Sequence, residues 1–387
     1  MPNSTSPLSP TAPFFIGLMS GTSLDGVDGV LVAFDDTGTS CRVETLAAAH
    51  TDFPAALREQ LLDLQVSGND EIHREAIAAQ ALTHCYAACV GDLLRINQCQ
   101  PDQISAIGAH GQTIRHRPES GYTRQINAGA LLAELTGIDV VVDFRSRDLA
   151  AGGQGAPLVP AFHQRIFAAQ HAQRVIANLG GIANISVLPA LDGKAAPITG
   201  FDTGPANVLL DLWIGRHRGV HYDAAGSWAA SGTVCRPLLA ALRNEPFFAA
   251  PPPKSTGRDL FNAQWLDQML APFADVAPVD VQATLTELTA TTLADAIRLY
   301  APDADAVFVC GGGACNTFLM SRIAAALAAG GRPLPVRATT ELGVPADQVE
   351  ALAFAWLALR FTQRRAGNLA AVTGATGERI LGALYPA

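Results

Sequence analysis

The sequence is poor in aromatic residues, at 6%, and only 16% of its positions are charged. No lysine- or arginine-rich run occurs, and 26 basic residues face 35 acidic ones, for a net charge of −9. This disfavours nucleic-acid binding through a basic face. It does not exclude an anionic small ligand, because phosphates are held by local amides and metal ions. No run of about 18 uninterrupted apolar residues is found, so no membrane-spanning helix is expected. The opening MPNSTSPLSPTAP lacks both the basic and the apolar segment of a signal peptide and reads as a floppy tail over 1–13. Seven cysteines (Cys41, Cys85, Cys89, Cys99, Cys235, Cys310, Cys315) lack metal-ligand spacing. Cys85 and Cys89 are four apart on an expected helix, without the second Cys/His pair of a structural zinc site. They read as buried thiols, no metal site is expected, and free thiols point to the reducing cytoplasm.

What is present is a chain of 387 residues, 49% hydrophobic, with room for two or three well-buried domains. The patterning is mixed α/β. FFIGL, VDGVLVAF and a stretch near 43–48 read as strands, joined by the turns MSGTSLDG and DDTGTS. Helical periodicity follows over about 53–66 and 71–96. Strands are expected at 104–110 and 139–144, with a short helix near 129–136 between them. The Gly- and charge-rich stretch 145–157 is expected to pass between two lobes. The second half repeats the opening: RVIANL, a glycine turn, NISVL, then ITGFD and a helix. Further helices are expected near 259–272, 280–300, 316–328 and 346–364, with a strand at 305–313 entering a glycine turn. The tail is expected to add a strand or turn to the first lobe. Such repetition suits either common glycine hairpins or an internal duplication. A duplication predicts an N-terminal lobe over 14–144 plus 366–387 and a C-terminal lobe over 145–365. Two glycine turns would then converge on one phosphate chain between the lobes.

Four segments have the composition of ligand loops. Gly21, Thr22, Ser23, Leu24, Asp25, Gly26, Val27 and Asp28 form a glycine- and hydroxyl-rich turn in which successive amides suit an anion. Asp25 offers an oxygen ligand for magnesium. This is not a Walker A loop, since no Gly-Lys-Ser/Thr is present and strands follow; a plain hairpin is the alternative. Gly180, Gly181 and Asn184 mark the second hairpin. Asp202, in GFDTGPAN, sits near an expected helix start, where it is either a capping carboxylate or a general base flanked by Thr203 and Asn207. Gly311, Gly312 and Gly313 would let a flat base or ribose lie on bare backbone. His110, Gln112, Arg145 and Arg147 follow expected strands, where α/β enzymes place ligand groups. His110 also suits a structural, hydrogen-bonded role, and the arginines suit a solvated face. Glu350, on an apolar helix, faces either a cleft or solvent. His163, His217 and His221 show no partner pattern.

Taken together, FIGLMSGTSLDGVD, the His110 run, AGGQGAPLVP, NLGGIANIS, GFDTGPAN and CGGGACN resemble the anhydro-N-acetylmuramic acid kinase family, from about residue 14 to the C-terminal LGALYP. The glycine turns are shared with the wider acetate kinase, sugar kinase, Hsp70 and actin superfamily. The resemblance implies two ribonuclease-H-like lobes around ATP, with magnesium, a homodimer and a cytoplasmic role in peptidoglycan recycling. It implies hydrolysis of the 1,6-anhydro bond and phosphorylation of O6, with Asp202 as the base. It assigns Gly21–Asp28 to the phosphates, Gly311–Gly313 to adenosine, and Gln112, Arg145, Asn207 and Glu350 to the sugar. Many relatives have glycine where this chain has Ala206. A kinase for another hydroxyl or a carboxylate, and a nucleotide-driven chaperone or scaffold, are the competing expectations.

Overall fold

The computed structural model describes residues 12–21, 24–36, 41–193 and 196–387. Thr22 and Ser23 therefore lie outside the described residues, as do most of the N-terminal tail and of the turn after Asp36. In chain order the first elements are β1 (Phe14–Met19), β2 (Gly26–Asp35), β3 (Arg42–Asp52), α1 (Ala55–Asp63), α2 (Glu71–Asn97), β4 (Ile104–Ala109), β5 (Gln112–Arg117) and β6 (Tyr122–Ile126). Next come α3 (Gly129–Thr136), β7 (Val140–Val142), α4 (Ser146–Leu149) and α5 (Val159–Phe167). The second half holds β8 (Arg174–Leu179), β9 (Ile182–Leu188), β10 (Thr199–Pro205), α6 (Asn207–Arg218), α7 (Ser227–Ala230), α8 (Arg236–Arg243), α9 (Pro246–Ala249), α10 (Ala263–Leu270) and α11 (Pro278–Tyr300). It closes with β11 (Ala306–Cys310), α12 (Thr317–Ala329), β12 (Val336–Ala338), α13 (Val349–Thr362), α14 (Ala370–Thr373) and β13 (Ala383–Tyr385).

The chain divides into two compact units, one of residues 1–166 with 350–387 and one of residues 167–349. Residues 145–157, read from the sequence as the passage between lobes, are part of the first unit. There the buried Asp148 carboxylate accepts from Gly155 N (2.8 Å), Asn368 Nδ2 (2.6 Å) and Thr373 Oγ1 (2.7 Å), tying this loop to the C-terminal segment.

The sheet of the first unit runs β13-β7-β4-β1-β2-β3, and that of the second runs β10-β9-β8-β11-β12. In the first, β1 pairs antiparallel with β2 and parallel with β4, β2 antiparallel with β3, and β4 parallel with β7. In the second, β8 pairs antiparallel with β9 and parallel with β11, β9 antiparallel with β10, and β11 parallel with β12. The same strand order and the same directions occur twice. The fold is a duplicated α/β architecture, the second of the two readings the hairpin repetition left open, and of the ribonuclease-H-like kind that the family resemblance implies.

Burial explains which runs were easy to read. β2 is buried at nearly every position because both its faces are covered, so it appears as a continuous apolar run. β3, at the sheet edge, mixes exposed and covered positions. Helix α2 turns Ala78, Leu82, Tyr86, Cys89 and Leu93 inward at helical spacing and lays them into the first core. Gly17 and Gly108, paired in register on β1 and β4, admit α13 against bare backbone. A Cβ at Gly17 would lie 1.9 Å from Ala351 O, and one at Gly108 2.1 Å from Phe354 O. Among the described residues of the second unit, one core lies on its sheet and another among α6, α8, α10 and α11.

Most expected elements are present with shifted ends; the helix expected over 259–272 is the shorter α10. The polar run after His110 is a hairpin, β5–β6, rather than a turn, because Ile114 and Ile126 face the core. α4, α5, α7, α8, α9, α14 and β12 were not read from the sequence. The tail does add a strand, β13, antiparallel to β7. Of the cysteines, Cys41, Cys89, Cys99 and Cys310 are buried, Cys85 and Cys235 are half-covered, and Cys315 is exposed. Burial, first of all, pushes the Cys41 and Cys89 thiols up to about 12. Among the described residues no helix is long and apolar enough to cross a membrane.

Candidate active site

Each unit gathers its candidate residues at the carboxyl ends of its parallel strands, where α/β sheets expose outgoing loops. In the first unit, β1, β4 and β7 end beside one another and deliver Ser20, His110 and Arg145. His110 N donates to Leu18 O (3.0 Å), which continues the β1–β4 ladder. The His110 ring is buried on Phe354, with centroids 4.6 Å apart. Its Nδ1 lies 3.4 Å from Ser20 O, and Arg145 Nη2 lies 2.9 Å from its Nε2. Burial first, and the Arg145 charge second, hold the His110 pKa down to about 3. A neutral ring with its proton on Nδ1 satisfies both contacts. The arginine is aimed in turn by Gly155 O, which accepts from Nη1 at 2.7 Å. His110 is thus the structural histidine of the two alternatives.

The turn after β1 is held from several sides. Ser20 Oγ meets Tyr86 OH of α2 at 2.7 Å, and Gln112 Nε2 donates to Gly21 O at 3.0 Å. Gln112 is 1% exposed, yet its Oε1 has no hydrogen-bond partner. Gly26 N donates to the exposed Asp25 carboxylate at 2.9 Å. Leu24 and Val27 point into the core, so they offer only backbone to a ligand. The Asp28 carboxylate faces outward to His50 Nδ1 at 2.7 Å. Glu350 lies in the first turn of α13, half-covered, four residues before the Phe354 that packs on His110, and so on the same helix face.

In the second unit, β8 and β11 end side by side, with Asn178 opposite Cys310. Their two glycine turns therefore touch. Gly311 has φ +79, and a Cβ there would meet Asn178 Oδ1 at 2.5 Å and Leu179 O at 2.8 Å. Only glycine fits both that dihedral and that contact. Asn184 pairs with Asp202 across β9 and β10. The first amides of α6 are already used: Ala206 N and Val208 N donate to Gly181 O (2.9 and 3.0 Å), and Asn207 N to Gly180 O (3.0 Å). Asn207 Nδ2 adds a bond to Leu179 O at 3.1 Å. The helix start thus clamps the Gly180–Gly181 turn.

Asp202 is not a helix cap. It lies within β10, before a register shift between Asp202 and Gly204, while α6 begins only at Asn207. Its backbone N donates to Lys254 O (3.2 Å), and its Oδ2 accepts from Thr256 N (2.9 Å). Sequence reasoning missed Lys254 and Thr256. The one visible signal was a polar KSTGR run directly after three prolines. A cavity of about 550 Å³ lined by Arg218, Tyr222 and Trp228, among others, contains none of the expected site residues.

Two units of one topology, each presenting polar loops at the carboxyl ends of its parallel strands, place the protein in the duplicated ribonuclease-H-like class. Within that class the sequence is specific. The profile of the family described as anhydro-N-acetylmuramic acid kinase matches residues 13–387, and the chain belongs to that family. The anhydro-N-acetylmuramic acid kinase of Burkholderia lata is 59% identical over 377 residues, 97% of each chain. The one from Cupriavidus metallidurans is 57% identical over 387 residues, covering 98% of this chain and all of the relative. Among solved structures, the activator of the 2-hydroxyisocaproyl-CoA dehydratase from Clostridium difficile, with bound ADPNP, aligns over 90% of this chain and 96% of its own at TM-score 0.47 and 12% identity.

Proposed function

We infer that the protein is a sugar kinase that uses ATP to convert 1,6-anhydro-N-acetylmuramic acid into N-acetylmuramic acid 6-phosphate, in peptidoglycan recycling. The observation that carries this reading is full-length identity of 57–59% with kinases so named.

Asp202 acts as the general base. It takes a proton from the water whose oxygen attacks C1, the C1–O6 bond breaks, and O6 attacks the γ-phosphorus as ADP leaves. One base thus serves both events, and the remainder of catalysis is positioning and charge neutralisation. The Thr256 amide supports this role, since it holds one carboxylate oxygen in place. We assign the backbone around Gly21–Asp28 and the Gly180–Gly181 turn to the phosphates, Asn184 to their surroundings, and Gly311–Gly313 to adenosine. Arg145 and Gln112 are assigned to the sugar, with Asn207 and Glu350. The Gln112 Oε1 is a buried acceptor awaiting a donor, and a sugar hydroxyl or amide is a donor of the right kind. Magnesium takes oxygen ligands and neutralises phosphate charge, and the exposed Asp25 carboxylate fits that donor set as the protein's contribution. The protein is further proposed to be cytoplasmic and homodimeric; sedimentation at the monomer mass would refute the latter.

Purified protein with ATP, magnesium and the anhydro-sugar should release ADP only when the sugar is present. Release with other acceptors, or without any, would overturn the reading. Asp202→Asn should lower kcat by about 10²–10⁴-fold, the range of a lost general base, with nucleotide affinity unchanged. Wild-type turnover in that variant would remove Asp202 from its role.

A further inference from the structure

The loop that meets Asp202 does more than touch it. Lys254 is held by its own neighbours: its Nζ donates to Phe247 O (3.0 Å) and Phe248 O (3.1 Å), at the end of α9. The same ammonium lies 4.6 Å from the Phe247 ring centroid and 6.0 Å from that of Phe201, the residue before Asp202. A lysine with two carbonyl acceptors and an aromatic face is fixed in position rather than sweeping through solvent. Its backbone O accepts from Asp202 N, and two residues later Thr256 N donates to Asp202 Oδ2. The main chain and carboxylate of Asp202 are thus tied to a three-residue loop whose first side chain is itself fixed in place.

We propose that Lys254 is a positioning residue for Asp202: the loop Lys254–Thr256 orients the carboxylate, and the fixed ammonium keeps it in its charged, proton-accepting form. The proposal rests on the reading of Asp202 as the base. The charged groups that α11 and α9 bring up to β10 have partners of their own. On α11, Asp280 accepts from Thr233 N, Glu287 is held at both oxygens by Arg322, and Asp295 is bound by Arg243 and Arg298. Glu245, capping α9, accepts from Phe247 N and Trp265 Nε1. Tyr300 packs its ring edge-on to Phe201. Arg258 and Asp259 lie further along the same loop, and β9 presents Asn184 opposite Asp202. Lys254 itself feels the Asp202 charge. Burial lowers its pKa while the Asp202 charge opposes that shift.

The sign follows directly. A nearby cation favours the ionised carboxylate, so removing it raises the pKa at which the base is lost to protonation. The test is the pH profile of kcat/KM, measured on the whole protein with the anhydro-sugar and ATP. Lys254→Met should move the acid limb up by about half to one pH unit, a three- to tenfold loss on that limb, with KM for ATP unchanged. Lys254→Arg should restore the wild-type limb. Lys254→Gln keeps a donor for the α9 carbonyls but not the charge, so it should shift like the Met variant even if the latter folds poorly. Neutral variants whose limb superimposes on wild type would overturn the proposal. An inactive Asp202→Asn beside unshifted Lys254 variants defeats only this inference, whereas a fully active Asp202→Asn defeats the reading beneath it.

Discussion

His110 shows how far a residue's chemistry is set by what surrounds it. From sequence it was an acid, a base or a structural group. Its burial on Phe354 beside Arg145 leaves a neutral ring whose pKa is held near 3. His163 on α5 is likewise lowered to about 3, by burial. Both groups bind protons in the unfolded chain below about pH 6.5 but not in the folded one, so stability falls as pH drops through that value. Between pH 6.5 and the folded pKa each such histidine costs about 1.4 kcal/mol per pH unit. Urea midpoints should therefore decline between pH 7 and pH 5, and His110→Asn should reduce that decline by roughly half. Equal slopes in the two proteins would show that folding does not lower the His110 pKa. Asp202 carries the same lesson: its residue type suggested either a cap or a base. Its position inside β10, bonded to Thr256 N, rules out the cap.

At the scale of elements, the close pairing of α13 with β1 and β4 depends on two side chains that are absent. Gly108→Ala would place a carbon 2.1 Å from Phe354 O, and the helix carries the Phe354 that packs on His110. Relieving that clash requires lifting α13, so a loss of about 2–4 kcal/mol in urea unfolding is expected, comparable to other overpacked cores or more. A change below about 0.5 kcal/mol would mean the helix moves freely. The Asp148 carboxylate works the other way, by what it accepts. Asp148→Ala removes the acceptor of Gly155 N and the shortest hydrogen bonds of Asn368 Nδ2 and Thr373 Oγ1 in the interior, and should cost about 2–4 kcal/mol. The released loop also supplies Gly155 O, which aims Arg145, so KM for the sugar should rise in the same variant. Wild-type KM with lowered stability would separate the two roles.

Across the whole molecule, ligand binding adds to the free energy of the folded state alone. ATP at about 100 times its dissociation constant should stabilise the protein by about 2.7 kcal/mol, read as a rise in Tm that depends on nucleotide concentration. No rise at any concentration would contradict a nucleotide site. The repeated strand–glycine turn–strand pattern was legible in the sequence, because its central strands are buried and separated by glycine turns, while the strand order that decides for duplication was not. RVIANL and DAVFVC needed no tertiary information to be read. β5 and β6 were missed because Arg115, His116, Arg117 and Arg124 mask the two inward isoleucines. α7, α8 and α9 were missed because they are short helices, four to eight residues long, held by long-range packing rather than by their own periodicity.

The sequence by itself determined the repeated strand–glycine–strand pattern and the residue types at its loops, since alternation of burial and the need for bare backbone are local properties of the chain. The partners of those residues were decided only by tertiary structure. Lys254 meets Asp202 across 52 positions, and Asn368 meets Asp148 across 220. A hydrogen bond's orientation and a buried ring's protonation depend on which distant atoms share its space, and that space exists only once the chain has packed.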